Sequence, residues 1–151
     1  MKVFFVRHGQ TDWNVERKIQ GQVDIELNDE GRKQAAQMRD ELADMHFDAI
    51  FVSPLARARE TAEIIAEPHE STPVVIADEL AERNFGEYEG KDNDGGKYYG
   101  LWQYDNPVTP NGETPKDLEA RVYSFLDRLH KQYERERERE TFCLWRMAVA
   151  D

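Results

Sequence analysis

The sequence has a single cysteine, Cys143, among 151 residues. One cysteine cannot form an intrachain disulfide or a cysteine-based metal cluster, which is typical of a chain made in a reducing compartment. No apolar run approaches the roughly 18 residues of a membrane-spanning helix, and the N-terminus lacks a secretory signal pattern. We therefore expect a cytoplasmic protein with no membrane partner.

Positive charge is also scarce. The chain has 20 lysine and arginine residues against 31 aspartate and glutamate residues, which gives a formal net charge of -11. This charge disfavours binding of the whole protein to nucleic acid, so any anion has to be held by local donors. Proline and glycine number only six and nine, and 39% of the residues are hydrophobic. These values predict one folded domain over residues 1–151.

Three short apolar segments have the composition of strands in a parallel sheet. Residues 2–7, 49–52 and 73–76 are rich in β-branched and aromatic side chains. The first segment has too few polar positions for a strand with one exposed face. We therefore predict that it forms a central strand buried on both faces.

Helical patterns follow these strands. A helix is predicted over residues 28–45 with Asn28 as its N-cap, and a second helix is predicted to begin at the cap Ser53, with Pro54 at its first position. A third, longer helix is predicted to follow the cap Thr114. Alternation of strand and helix predicts an α/β fold, in which ligands bind beyond the carboxyl ends of the strands.

Two segments have no pattern that indicates a core element. Residues 84–111 contain glycines, tyrosines and acids without a sustained period, and we predict an irregular excursion there. The alternating arginine and glutamate tract at residues 135–140 is predicted to extend the last helix into solvent. Neither an internal repeat nor a linker interrupts the chain.

Residues suited to an oxyanion cluster where the first predicted strand ends. Arg7 and His8 are followed by Gly9, which permits close approach of the main chain, and by the uncharged donors Thr11 and Asn14. A neutral imidazole nitrogen is also a competent nucleophile toward phosphorus. A histidine taken alone is more often a structural group, but these neighbours favour a phosphate-binding loop.

Two further residues fit the same end of the sheet. Arg57 follows the second predicted strand, in the first turn of the next helix, where it can reach the same site. Glu82 follows the third predicted strand and could give a departing alkoxide its proton. The plain alternatives are a surface arginine and one acid among many.

Five segments, in this order, resemble the histidine phosphatase superfamily, which includes the cofactor-dependent phosphoglycerate mutases and many sugar-phosphate or nucleotide phosphatases. The signature loop is residues 7–14, with the sequence Arg-His-Gly-Gln-Thr-Asp-Trp-Asn. The other four segments are residues 21–31, 53–62, 82–90 and 112–114. Together they extend over most of the chain.

The resemblance implies a phosphoglycerate mutase-like three-layer α/β sandwich, with a mainly parallel sheet and helices on both faces. It also implies hydrolysis of a small phosphomonoester through a phosphohistidine, with no metal and no other cofactor. His8 would attack the phosphoryl group, while Glu82 would protonate the leaving oxygen and later activate water. The residues implied to bind the phosphoryl oxygens are Arg7, Asn14, Arg57 and Arg83.

Two other functions stay open. Phosphoglycerate mutase-type transfer is less favoured, because residues 90–114 are short where the mutases of this family share a longer insertion. A module that binds a phosphate ligand without turnover is the second alternative, and a purely structural domain is weaker still. The sequence leaves both the substrate and the oligomeric state open.

The chain departs from the family near its end. The family has a second pocket histidine after a late strand, in a motif similar to Val-Ser/Ala-His-Gly-Gly. The other histidines of this chain, His46, His69 and His130, do not match that motif. We therefore expect impaired activity and a fold that is incomplete at the C-terminus. Residues 141–145 are apolar and β-prone, and we predict that they take the place of the missing strand.

A shifted reading frame would explain this departure. When each codon's third base is combined with the next codon's first two across residues 142–149, permitted codons give Leu-Phe-Val-Ala-His-Gly-Gly. We expect that the frame slipped within residues 135–140, which leaves the tail up to Asp151 out of register. Sequencing the coding DNA tests this, since the absence of His-Gly-Gly in every frame would exclude the idea.

Overall fold

Four parallel strands form one sheet in the computed structural model, which describes residues 2–93 and 110–133 and the main chain of residues 141–145. In sheet order the strands are β1 (Lys2–Val6), β4 (Thr141–Trp145), β2 (Ala49–Val52) and β3 (Val74–Ile76). Every neighbouring pair is parallel, so the carboxyl ends of the strands lie along one edge. The strand predicted over residues 141–145 is confirmed, because β4 pairs with both β1 and β2.

Helices cover both faces of this sheet. The short helix α1 (Asp12–Val15) lies in the loop after β1, and the helices that cover the sheet are α2 (Asp29–Leu42), α3 (Ala56–Ala66) and α4 (Pro115–Tyr133). On one face, α2 and α3 pack on β2 through a core that includes Leu42, Ile50 and Ile65. On the other face, Phe125 of α4 packs edge-on against Phe51. The arrangement is the three-layer α/β sandwich that the family resemblance implies.

Two predicted helix starts are confirmed in detail. The side chain of Asn28 accepts a hydrogen bond from the amide of Gly31 at 2.9 Å, and α2 begins at the next residue. At the start of α4, the hydroxyl of Thr114 accepts from the amide of Asp117, whose carboxylate accepts from the amide of Thr114. Both caps satisfy amides that a helix cannot pair internally.

The predicted start of α3 is wrong by two residues. Ser53 and Pro54 lie in a turn, where the Ser53 hydroxyl accepts from the amide of Leu55, and the helix begins at Ala56. The amide of Ala56 donates to Asp24 at 2.6 Å. A carboxylate from a distant loop therefore caps this helix, and a local sequence pattern cannot show such a partner.

The burial predicted for β1 is also wrong. Lys2 and Phe5 are exposed, Phe5 by 56%, although Phe4 packs edge-on against Phe47 in the core. The physical reason is position, since β1 lies at one edge of the sheet in the described part of the chain. An edge strand has fewer neighbours to cover it than the central strand that its composition suggested.

Three segments named in the sequence predictions lie wholly or partly outside the described residues. Residues 94–109 of the predicted excursion, the tract at residues 135–140 and the tail at residues 146–151 lie outside the described residues. Before that gap, residues 84–93 contain the 3-10 turn Gly86–Tyr88. Within the described ranges, no helix is both long and apolar enough to cross a membrane.

Candidate active site

The carboxyl edge of the sheet brings together four of the residues singled out from the sequence. Arg7 and His8 follow β1, and Arg57 lies in the first turn of α3 after β2. Glu82 follows the 3-10 turn Asp78–Leu80 that comes after β3. The charges of Arg57 and Arg7 act on both the imidazole and the carboxyl group. The two groups that would do the chemistry therefore share one pair of cations.

His8 has a defined tautomer. Its Nδ1 lies 2.7 Å from the carbonyl oxygen of Gly9, and since a carbonyl only accepts, Nδ1 carries the proton. Nε2 therefore has the lone pair, and it accepts from Nε of Arg57 at 3.3 Å. Burial, assisted by the charges of Arg57 and Arg7 and opposed by the Gly9 hydrogen bond, lowers the pKa of His8 to about 4. The imidazole is neutral at pH 7, as a nucleophile requires.

The loop that carries His8 is fixed by uncharged partners. The amide of Gly9 donates to the buried hydroxyl of Thr61 on α3 at 3.2 Å, and the amide of Gln10 donates to the Gln34 side chain on α2 at 2.9 Å. A Cβ atom added at Gly9 would lie 2.3 Å from the carbonyl oxygen of Gly31. This contact accounts for glycine in the signature loop, because no larger residue fits there without a main-chain shift.

An open pocket of about 350 Å³ lies in front of His8. Its walls are formed by Arg7, His8, Gly9, Gln10, Asn14 and Gln34. The Oδ1 atom of Asn14 accepts from the amide and hydroxyl of Thr11. This capping arrangement orients the Asn14 side chain and leaves its NH₂ group available as a donor. The exposed guanidinium of Arg7 adds a positive charge to the same wall.

Arg57 is the most buried cation of the described residues, with 1% of its surface exposed. Its two terminal nitrogens donate to the carbonyl oxygens of Val23 at 3.0 Å and Gly21 at 2.7 Å. The pKa of Arg57 is lowered, because burial outweighs the opposing effect of the nearby carboxylates of Glu82 and Asp24. The guanidinium is thus held rigidly, with its Nε toward Nε2 of His8.

The carboxyl group of Glu82 is close to half-protonated at neutral pH. Burial of its carboxyl group raises the pKa of Glu82 to about 7, against the opposing effects of the Arg83 amide and of the nearby arginine charges. The amide of Arg83 donates to Oε1 at 2.8 Å. A carboxyl group with this pKa can give a proton and take one back at neutral pH, which suits a general acid and base.

The side chain of Arg83 contacts Glu113 and Phe85 and not the pocket in front of His8. Its Nε donates to the carbonyl oxygen of Glu113 at 2.8 Å, and its guanidinium lies over the ring of Phe85 with 4.9 Å between the centres. The residue is 3% exposed and does not line the pocket in front of His8. The role of Arg83 in binding phosphate therefore stays a prediction from the resemblance.

Several residues that support the site were not predicted from the sequence. Gln34 and Thr61 bind the amides of the His8 loop, and Arg121 binds Glu113 and the carbonyl oxygen of Glu82. One signal was present for Arg121, which lies three residues after Leu118 and four before Phe125. Helical spacing places it on the same inward stripe, where a charge needs a buried partner.

The other histidines lie away from the pocket. His46 and His69 precede β2 and β3, at the amino end of the sheet, and His130 is exposed near the end of α4. Among the described residues, no group of three or more histidine, cysteine, aspartate or glutamate side chains could hold a metal ion.

Comparison with known proteins gives a consistent result. The profile of the histidine phosphatase superfamily (branch 1) matches residues 3–142. The chain is 38% identical to the uncharacterized phosphatase PhoE of Bacillus subtilis over 131 residues, which are 87% of this chain and 65% of that protein. It is 34% identical to the probable phosphoglycerate mutase GpmB of Erwinia tasmaniensis over 84% of this chain and 62% of that protein.

Solved structures agree with the sequence relatives. The fold superposes on the alpha-ribazole phosphatase from Shigella flexneri with a TM-score of 0.82 and 27% identity, covering 97% of this chain and 73% of that chain. The chain spans less than two thirds of the length of both curated relatives. The signature loop lies at the carboxyl end of β1, and the family profile matches nearly all residues of the chain. This chain therefore belongs to the histidine phosphatase superfamily.

Proposed function

We propose that this protein hydrolyses small phosphomonoesters through a phosphohistidine on Nε2 of His8. The observation that carries the proposal is the tautomer of His8, whose lone pair on Nε2 lies beside the Arg57 guanidinium. Nε2 would attack phosphorus and form an N–P bond, while the bond from phosphorus to the leaving oxygen breaks. Glu82 would give its proton to that oxygen.

The second half of the reaction returns the site to its starting state. Water attacks phosphorus and gives a proton to the carboxylate of Glu82, and the N–P bond breaks with its electron pair returning to Nε2. Inorganic phosphate is released. The pKa of about 7 for Glu82 supports both roles, because neither protonation state is costly near neutral pH.

Fixed positive charge supplies the remaining catalysis. Phosphoryl transfer is accelerated mainly by positioning and by charge around the transferring group. Arg57 and Arg7 provide two cations, and the NH₂ group of Asn14 provides a neutral donor in the same pocket. Nε of Arg57 contacts Nε2 of His8 before substrate arrives, so we expect an oxygen of the phosphoryl group to take over that hydrogen bond.

We expect a slow enzyme. His46, His69 and His130 lie away from the pocket, so none can act as the family's second histidine. The loss of one pocket donor costs on the order of 100- to 1,000-fold in rate, by analogy with the removal of an oxyanion-hole donor. The predicted slip lies within residues 135–140, outside the described ranges, and the frame shift stays a prediction.

The test is direct trapping of the intermediate. Glycerol 2-phosphate is mixed with the protein, the reaction is quenched in alkali, and the intact mass of the protein is measured, because phosphohistidine survives alkali. We expect a phosphoryl adduct and phosphate release, both lost in His8→Asn. The matched control is His46→Asn, which changes an exposed histidine and keeps both signals. Turnover that survives His8→Asn would overturn the proposal.

The alternatives are distinguished by two further assays, with phosphoglycerate as substrate and with inorganic phosphate as ligand. A mutase, which the name of the Erwinia relative favours, would interconvert 2- and 3-phosphoglycerate faster than it releases phosphate. A module that only binds phosphate would show saturable binding of inorganic phosphate, with neither adduct nor turnover. Either result would replace phosphatase activity as the function.

A further inference from the structure

Arg121 connects α4 to the segment that carries Glu82. Its guanidinium forms a two-pronged ion pair with Glu113, with nitrogen to oxygen distances of 2.7 and 2.9 Å. It also donates to the main-chain carbonyl oxygens of Glu79 at 2.6 Å and Glu82 at 2.9 Å. Only 19% of the Arg121 side chain is exposed. Four hydrogen bonds thus hold one cation against the main chain of Glu82.

Glu113 completes the support from the other side. Its carboxylate accepts from the amide of Asn84 at 2.8 Å, and its amide donates to the carbonyl oxygen of Asn84 at the same distance. Burial raises the pKa of Glu113, but hydrogen bonds from Arg121 and the Asn84 amide outweigh it, and the net shift is downward. Glu113 is therefore a carboxylate at neutral pH, and residues 82–84 are fixed at both ends.

We propose that Arg121 is a positioning residue for Glu82: it fixes the Glu82 carbonyl and keeps a permanent positive charge close to the carboxyl group, and Glu113 sets how much of that charge is neutralised. This inference rests on the proposed role of Glu82 as acid and base. Arg121 does not line the pocket in front of His8, so it acts through Glu82.

Several charges reach the carboxyl group of Glu82. Arg57 faces it from α3, Arg7 from the end of β1 and Arg121 from α4, and all three lower the pKa of Glu82 against the larger effect of burial. The neighbouring Arg83 guanidinium also interacts electrostatically with it. Loss of the Arg121 charge therefore raises the pKa of Glu82 further.

Glu113 has the opposite effect on Glu82. A neutral side chain at position 113 leaves the charge of Arg121 uncompensated, which lowers the pKa of Glu82. Two substitutions in one ion pair thus shift the same group in opposite directions. A pair with a merely structural role would reduce stability and rate in both variants without moving that pKa in either.

The experiment compares Arg121→Met with Glu113→Gln in pH profiles of kcat/KM for glycerol 2-phosphate. The rate falls on the alkaline side as Glu82 loses its proton. We expect the alkaline limb of the pH profile to move to higher pH in Arg121→Met and to lower pH in Glu113→Gln, each by roughly half to one pH unit. We also expect kcat/KM at pH 6 to fall about tenfold in Arg121→Met, because Glu82 is less well placed. Ionisation of the substrate phosphate is the same for every variant.

Two further variants act as controls. Arg128 lies seven residues later on α4, where it pairs with Glu79 and stacks on Phe125, so Arg128→Met should leave the alkaline limb in place. Arg121→Lys keeps the charge and loses the two-pronged geometry, so its limb should stay near that of the wild type while its rate falls. If Arg121→Met does not fold, Arg121→Lys and Glu113→Gln still test the inference.

Failure of this inference is distinguishable from failure of the proposed function. Carboxyl ¹³C NMR measures the titration of Glu82 in each variant whether or not substrate is turned over. Opposite shifts without turnover would support the electrostatic coupling and overturn the phosphatase proposal. Turnover that depends on His8 and Glu82, with no shift in either variant by NMR or kinetics, would overturn the role of Arg121.

Discussion

The two chemical groups of the site are supported by different kinds of contact. The His8 loop is held by neutral groups, through hydrogen bonds from the amide of Gly9 to the hydroxyl of Thr61 and from the amide of Gln10 to the side chain of Gln34. The Glu82 segment is held by the ion pair of Arg121 with Glu113. The loop of the proposed nucleophile, which must stay uncharged, thus has uncharged supports, and the segment of the proposed acid, which must change charge, has charged ones.

The difference follows from what each group has to do. In its proposed role His8 needs a free lone pair, and a carboxylate beside it would raise the pKa of His8 and favour the protonated form. In its proposed role Glu82 has to exist in two protonation states near pH 7, and burial alone would raise the pKa of Glu82 further. Nearby positive charge corrects that excess, so the ion pair is useful on the Glu82 side and would be harmful beside His8.

Arg57 is the more buried of the two cations shared by both sides, and its removal should have the largest effect. We expect Arg57→Met to lower kcat/KM by on the order of 100- to 1,000-fold, because the protein loses one positive charge that would stabilise the phosphoryl group. The acidic limb of the pH profile of kcat/KM should also move to higher pH, since Arg57 helps to hold the pKa of His8 near 4. Steady-state kinetics between pH 4 and 9 with glycerol 2-phosphate measure both changes.

Arg57→Lys separates charge from geometry. Lysine keeps the positive charge but cannot reach the carbonyl oxygens of Gly21 and Val23 and the ring of His8 together. We expect an acidic limb close to that of the wild type and a rate between those of the other two proteins. An unchanged acidic limb in Arg57→Met would contradict the electrostatic link to His8.

Thr61 tests the neutral support, with a smaller expected effect. Thr61→Val removes the acceptor of the buried Gly9 amide, which should cost about 1–3 kcal/mol of stability and lower kcat/KM about tenfold through misplacement of His8. Urea unfolding and steady-state kinetics measure the two effects. Thr61→Ser keeps the hydroxyl and should stay near the wild type in rate, and a Thr61→Val enzyme with full activity would show that this bond does not position His8.

The smallest expected effect is a contrast in stability against pH. Between its ordinary value of 4.5 and its folded pKa of about 7, Glu82 binds more protons in the folded state, so stability falls as pH rises through that window. Between a folded pKa of about 4 and the ordinary 6.5, His8 binds more protons in the unfolded state, so stability falls as pH drops. The two sides of the site thus destabilise the fold at opposite ends of the pH scale.

Melting temperatures measure this contrast. Glu82→Gln should melt a few degrees above the wild type at pH 8, with a smaller gain at pH 5. His8→Asn should show its gain at pH 5 and little at pH 8. His46→Asn changes an exposed side chain and should show neither pattern. Equal gains at both pH values would mean that packing, and not protonation, explains the difference.

Elements with local causes were predictable from the sequence. The cap at Asn28 and the cap at Thr114 use side chains within three residues of the amides that they bind, and both helices begin where predicted. The strand over residues 141–145 was predictable from its apolar, β-prone composition. The order of segments also located His8, Arg57 and Glu82 at one edge of the sheet.

Features with distant causes were not predictable from the sequence. Asp24 caps α3 from more than 30 residues away, and the exposure of Phe5 depends on which strands flank β1. The direction of Arg83 depends on Glu113, which is 30 residues away in sequence. Each case is decided by a tertiary partner, and a single sequence carries no record of such partners.

The contact between Gly9 and Gly31 has a practical consequence for engineering. The main chain of the nucleophile loop rests directly on the first turn of α2, so a change in the tilt of that helix displaces His8 by a similar distance. A misplacement of about 1 Å is enough to slow a reaction of this kind by on the order of 100-fold. Substitutions on the core face of α2, at Met38 or Leu42, should therefore be screened for turnover as well as for thermal tolerance.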